Sequence, residues 1–311
     1  MRPRGWKVWA MHLVLLAFAA LTLLPFFFMV NNIFRTNAEF YHAFFSVPRA
    51  FSDAIEAVTS AGPVTVEDED GNAVSLPPGE AAMHHLARAG EGPATAWRVI
   101  RPYMVNSLIV SILTAFGVIA FGSTTAYILS RYRFLGGRAI FLLILSTMMF
   151  PGVLTLVPSF MLVTRLGLLN TYWVMILPYV AGGQVFAIFV FKSFFDGLPE
   201  ELFECARIDG AGHFHLYWSI VLPLSKPVVS VVLVMNVLGT WNGWLWPFIT
   251  NPEGTYHVVA SGLYVMATSS HASNFSTMYA AYAIASIPLL IMFIYATKPF
   301  IRGMTSGALK A

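Results

Sequence analysis

The chain has 311 residues, 57% of them hydrophobic and only 11% charged, and a mean hydropathy of +0.69. That is too little charge to cover a soluble globule of this length, so the sequence reads as an integral membrane protein. The net charge of +3 comes with no basic stripe interleaved with aromatics, which excludes a nucleic-acid footprint, and the single Cys205 excludes an internal disulfide.

In chain order, apolar runs long enough to cross a hydrocarbon core of about 30 Å as helix fall near 8–30, 105–129, 139–163, 171–195, 226–249 and 277–297. Lipid offers no partner to a free backbone group, and none of the runs alternates as a barrel strand does. The expected fold class is therefore all-α and polytopic, with six transmembrane helices in the lipid bilayer. The first run follows Arg2, Arg4 and Lys7, but its apolar core is too long for a secretory signal and no small-x-small cleavage site follows PFFFMVNN, so it reads as an uncleaved span. Six spans put both termini on one side, which carries 12 of the 18 Lys and Arg residues and is by that bias cytoplasmic.

Residues 1–30 are then the N-terminus and first span, 31–104 an extracytoplasmic insertion, 105–300 a five-helix core, and 301–311 a cytoplasmic tail. The insertion is too long for a plain connection and should have structure of its own. VTVEDEDGNAVSL reads as a hairpin around an Asp-Gly-Asn turn, and PPGEAAMHHLARAG as a short helix with Pro at its start and Gly90 at its end. The adjacent His84 and His85 point to different helix faces and read as solvated, not as a metal pair. The 250–276 loop, rich in Ser, Asn and Thr, reads either as a flexible connection or as a partner contact.

The middles of the spans hold no Asp, Glu, Lys, Arg or His, with His12 near an end of the first, whereas ion-driven carriers usually need such groups. The dipeptide Gly-Lys never occurs, so no phosphate cradle for ATP is present, and neither H-E-x-x-H nor G-x-S-x-G is found; no catalytic residue is expected. Gly117 and Gly122 read as packing. Pro151, Pro158, Pro178, Pro247 and Pro288 should bend helices as a bundle enclosing a cavity requires. Asn106, Gln184, Asn236, Trp241 and Asn242 are candidates to face that cavity, since amides beside aromatics suit neutral hydroxylated ligands. Trp241, Trp244 and Trp246 read first as an interfacial aromatic belt.

Between the fourth and fifth runs lies LPEELFECARIDGAGHFHLYWSIVLP. Pro199 suits a first helical turn, Glu200 and Glu201 its positive end, and Gly210 a stop. Glu200, Glu204 and Arg207 share one face of this helix, and Asp209 turns the chain toward a second short helix. The pattern of Glu204, Ala206, Asp209, Gly210 and Ala211, followed by Ile220, Leu222 and Pro223, resembles the EAA loop of ABC importer permeases, with Cys205 where that family usually has Ala. NSLIVS, AYILSRYRF, LGLLNTYWVMILPY, IVLPLSKP, GTWNGWLWPF and PFIRGMTSGALKA extend the resemblance, over nearly all of 105–311, to carbohydrate-uptake permeases of the MalG type.

The resemblance implies a non-catalytic subunit of the bacterial inner membrane, binding no cofactor itself. It would pair with a second, MalF-like permease, sit on an ABC ATPase dimer that binds ATP and Mg, and receive a sugar from an extracytoplasmic binding protein. Glu201, Glu204, Ala206, Arg207, Asp209, Gly210, Ala211, Ile220, Leu222 and Pro223 would then couple to the ATPase. Gln184, Asn236, Trp241 and Asn242 would line the pathway. Ser269, Ser270, His271, Ser273 and Asn274 would contact the binding protein, and the tail would reach the ATPase dimer. An ATP-independent carrier or channel, and a membrane enzyme, are the rival readings.

Overall fold

The computed structural model describes residues 5–42, 45–67, 72–269 and 274–308. It is built almost wholly of helices: α1 Gly5–Asn32, α2 Asn37–His42, α3 Arg49–Thr59, α4 Pro78–Arg131, α5 Gly137–Ser146, α6 Leu156–Arg165, α7 Trp173–Asp196, α8 Glu201–Ile208, α9 His213–Leu216, α10 Leu222–Leu224, α11 Lys226–Asn242, α12 Leu245–Thr250, α13 Val259–Thr268 and α14 Phe275–Ala308. Four described helices are long and apolar enough to span a membrane, and two bent pairs bring the number to six if each pair counts as one span.

The chain divides into two compact units. The first comprises Met1–Pro102 and Leu263–Ser286. Its predicted hairpin is present: β1 Val64–Glu67 pairs antiparallel with β2 Ala73–Leu76, Val64 opposite Leu76 and Glu67 opposite Ala73. Val66 sits with Ala54 and Ala57 of α3 and Ala81 and Ala82 of α4 in a small buried core. Beneath them Arg35, only 2% exposed, donates to Asn32 Oδ1 (3.2 Å), Glu39 O (2.6 Å) and Ser46 Oγ (3.1 Å), which fixes the turn after α1.

The short helix expected to stop at Gly90 does not stop there. It continues through Gly90, Gly92, Pro93 and Pro102 as the 54-residue α4, since an interior Gly costs only about 1 kcal/mol and packing outweighs it. Gly92 is required for close approach: a Cβ there would lie 1.9 Å from Ser276 Oγ.

The second unit comprises Tyr103–Gly262 and Ile287–Ala311. The expected third span is broken: α5 with its 3-10 turn and the segment Gly152–Arg165 meet at 93°. Phe150 is extended (φ −83°, ψ 122°), the conformation that a following proline favours, and here Pro151 turns the chain instead of kinking it. The fifth span is shorter than expected, α11 ending at Asn242 before the extended Gly243. Its approach is bent by 74° at Ser225, whose buried hydroxyl bonds back to Val221 O. Nor is 250–276 loop throughout, since its apolar VASGLYVMAT forms α13.

Within this unit Gly117 and Gly122 of α4 are packing residues, as read. A Cβ on either would lie 2.8 Å from Val180 Cγ2 or 2.7 Å from Ala187 Cβ of α7.

Candidate functional site

The 199–223 segment folds as two short helices around a glycine turn. α8 buries Phe203 completely in a core with Tyr127 of α4, Phe191 and Phe195 of α7, Leu216 of α9 and Val221, while Ala206 packs half-buried on the same cluster. Around it on the same helix Glu201, Glu204 and Arg207 are exposed. The helix ends in a full Schellman cap: Gly210 N–H donates to Arg207 O (3.0 Å) and Ala211 N–H to Ala206 O (2.9 Å). This cap needs the left-handed conformation at Gly210, φ +82°, which a side chain resists even though nothing lies within 4 Å of a Cβ there. Asp209 is the C-cap residue and is exposed. Ile220 sits half-buried in a π-helical turn, Tyr217–Val221, followed by Leu222 and Pro223 in the first turn of α10.

The charged face is bound to the bundle by a residue that sequence reasoning left unassigned. Arg131, the last residue of α4, pairs with Glu200 Oε2 at 2.6 Å and donates to the carbonyls of Phe195 in the last turn of α7 and of Leu198 just beyond it. Its guanidinium carbon also lies 3.9 Å over the Phe203 ring. A basic residue closing a helix is the available signal, since it is drawn to exposed carbonyls, but the sequence does not show that the carbonyls belong to a different helix. Arg207 reaches Glu200 Oε1 at 3.5 Å, and Lys192 pairs with Asp196 at 2.6 Å. The Glu204 side chain has no hydrogen-bond or ion-pair partner among the described residues, its backbone N–H bonding to Glu200 O. A further tie, Tyr217 Oη to Ser123 Oγ at 2.7 Å, joins the π turn to α4.

Of the predicted pathway residues, Asn236 lines a cavity of about 440 Å³ between α4, α7 and α11, together with Val118, Tyr179, Gly182, Gly239 and Thr240. No carboxylate, imidazole or basic group lines it. Asn236 Oδ1 and Tyr179 Oη are buried without a hydrogen-bond partner. Gln184 lies close by: its Nε2 donates to Val180 O at 3.1 Å, while its buried Oε1 has no partner. Trp241 is buried at 3% exposure but is not in the cavity wall, and Asn242 is exposed with its amide on Leu238 O. Asn106 is spent structurally: its amide donates to Thr255 O and His257 O, and its Oδ1 accepts from Tyr172 Oη at 2.7 Å. Burial lowers His257 below the usual imidazole range.

Of the predicted outer-loop contacts, Ser269 bonds to Met266 O at 2.9 Å and Asn274 Oδ1 accepts Thr277 N–H at the start of α14. Ser270, His271 and Ser273 lie outside the described residues.

The chain is 32% identical to the diacetylchitobiose uptake system permease NgcG of Streptomyces coelicolor over 223 residues, 71% of this chain and 74% of that protein. It is 33% identical to the arabinooligosaccharides transport system permease AraQ of Halalkalibacterium halodurans over 66% of this chain and 72% of that one. To the sn-glycerol-3-phosphate transport system permease UgpE of Yersinia enterocolitica it is 31% identical, over 72% and 79%. A chain in the solved structure of a bacterial ABC transporter involved in the import of the acidic polysaccharide alginate has the same fold, with a TM-score of 0.70 at 18% identity over 96% of this chain and 98% of that one. Residues 118–306 match the pattern of the binding-protein-dependent transport system inner membrane component, so the chain belongs to that family, the multi-pass permeases of ABC importers.

Proposed function

We propose that the chain forms half of the translocation pathway of an ATP-driven importer for a sugar or sugar-like neutral solute, coupled to its ATPase through the 199–223 segment. Supporting the coupling role is one observation above the others: α8 turns Glu204, Arg207 and Asp209 outward on a rigid Schellman-capped helix while Phe203 anchors it in the bundle core. A short helix with exposed charged residues and one fully buried aromatic anchor suits a lever, able to pass a push from a partner into the packed helices behind it.

In this reading the 199–223 segment and both termini are cytoplasmic, and ATP and Mg are held by a partner ATPase dimer. ATP binding there moves α8 and turns the cavity of this permease and of a second, homologous one outward. An extracytoplasmic binding protein then delivers solute, with Ser269, Ser270, His271, Ser273 and Asn274 among its contacts. A neutral solute agrees with the uncharged cavity wall. Two of the named relatives handle oligosaccharides.

Glu204→Lys and Gly210→Asp test the reading in whole cells. Uptake is expected to vanish in both, with membrane insertion unchanged because both positions are exposed. Normal uptake in both variants would sink the coupling assignment.

A further inference from the structure

The first unit contains a second concavity, larger than the membrane cavity and of opposite character. It is a cleft of about 830 Å³ between the turn after α1, α3, β1 and the start of α4. That volume is in the range of small-molecule sites, about 300–1,000 Å³. Its floor is the buried Arg35, with Glu39 held in place by Thr36 and by the Arg49 backbone N–H, whose bond to Oε2 is 3.0 Å.

Into the space above project Arg49 and Asp53 from α3, and Arg88 and Glu91 from α4. None of these four makes an ion pair among the described residues, although both signs of charge share one wall. Phe34 adds an apolar surface.

The chemistry of the wall selects its ligand. A guanidinium only donates and a carboxylate only accepts, so a wall that alternates them fits a molecule whose every edge offers both, which is what vicinal hydroxyls do. A simple anion would face the carboxylates of Glu39, Asp53 and Glu91, and a simple cation the guanidinium groups. A metal ion is not served either, since no three His, Cys, Asp or Glu residues among those described are grouped to hold one. Phe34 offers the apolar face on which a sugar ring packs its C–H edge.

We propose that this cleft is a saccharide-binding site of the permease itself, separate from the membrane cavity, with Arg49, Asp53, Arg88 and Glu91 as its hydrogen-bonding wall. The sugar chemistry rests on the transport reading above, whereas the cleft's ability to bind is tested without transport.

The full chain in lipid nanodiscs is titrated with arabinotriose, diacetylchitobiose and, as an anionic comparison, trigalacturonate, followed by saturation-transfer NMR and calorimetry. At least one neutral sugar is expected to bind. Asp53→Asn with Arg88→Gln should weaken it at least tenfold at an unchanged melting temperature. Absence of binding by both neutral sugars, preference for trigalacturonate, or equal affinity in the double variant would each overturn the proposal. Should Glu204→Lys abolish uptake while the double variant binds normally, the cleft assignment alone falls. Should cleft binding follow the expected pattern while Glu204→Lys and Gly210→Asp import normally, the coupling reading falls and the cleft stands.

Discussion

Replacing Arg131 by Met removes the guanidinium while keeping most of its stem. The ion pair with Glu200 is worth at most about 1 kcal/mol, because the Glu200 side chain is 52% exposed and rehydrates once its partner is gone. The loss at the other contacts is larger. Charge-assisted bonds to the Phe195 and Leu198 carbonyls contribute about 1.5 kcal/mol each at the low end. Stacking over Phe203 adds about 0.5–1 kcal/mol. Met recovers part of this through its own packing, leaving about 3 kcal/mol, or roughly 6–12 °C in Tm for a unit of this size.

Thermal unfolding of the detergent-purified chain, followed by tryptophan fluorescence, measures the shift. Arg131→Lys should recover about half of it, since an ammonium reaches one acceptor where the fork reaches several. Glu200→Gln should cost less than about 1 kcal/mol. A Tm within 2 °C of wild type for Arg131→Met would refute the ranking, and so would a Glu200→Gln loss as large as that of Arg131→Met.

The remaining predictions concern packing, the cavity and pH. Gly262→Ala sets a Cβ 2.2 Å from Tyr103 Cδ2 and should destabilise by about 1–3 kcal/mol, seen as a lowered Tm. Gly239→Ala meets nothing within 4 Å and should raise Tm slightly through helix propensity; equal shifts in the two would contradict the packing account. Gly239→Leu fills the membrane cavity and should cut solute uptake at least tenfold without changing the amount of inserted protein. His257 has a folded pKa below its unfolded value of about 6.5, so the folded state holds fewer protons. Stability is therefore full above pH 6.5 and falls as pH drops below it, and a melting series from pH 7.5 to 5 should show a smaller fall in His257→Phe.

What the sequence made legible follows from how local each signal is. The motif segment, the glycine stop at Gly210 and the 64–76 hairpin were readable because caps, turns and strand runs are written within a few residues. Helix breaks were misjudged in both directions. Gly90 looks like a terminator, yet α4 runs on, because beyond it Ala96 and Ile100 are fully buried, and that burial is set by residues far away in sequence. Pro151 looks like a kink and is a 93° turn, with the preceding Phe150 extended. Among the pathway residues only Asn236 reaches the cavity wall. Trp241 and Asn242 are neighbours on the same helix and were read by type, whereas the cavity is set by which face of α11 meets α7.

The same helix-to-helix contacts give the proposed lever a path into the second unit. Phe203 touches nothing outward, and its ring is enclosed by side chains of α4, α7 and α9 and covered by Arg131. A close-packed cluster has no slack to absorb a displacement of one member, so α8 cannot shift without moving the ends of α4 and α7 with it. Those two helices, at their other contact, supply Val118, Tyr179 and Gly183 to the cavity, where a Cβ on Gly183 would lie 2.6 Å from Val118 Cγ2. The closeness of that contact means that a relative slide of α4 and α7 changes the cavity wall directly. Removing Arg131 therefore loosens the grip of α8 on both helices, and if α8 is the lever, ATP hydrolysis in the assembled importer should become partly independent of uptake in Arg131→Met. Hydrolysis that stays in a fixed ratio to uptake in that variant would show that the movement enters the bundle by another route.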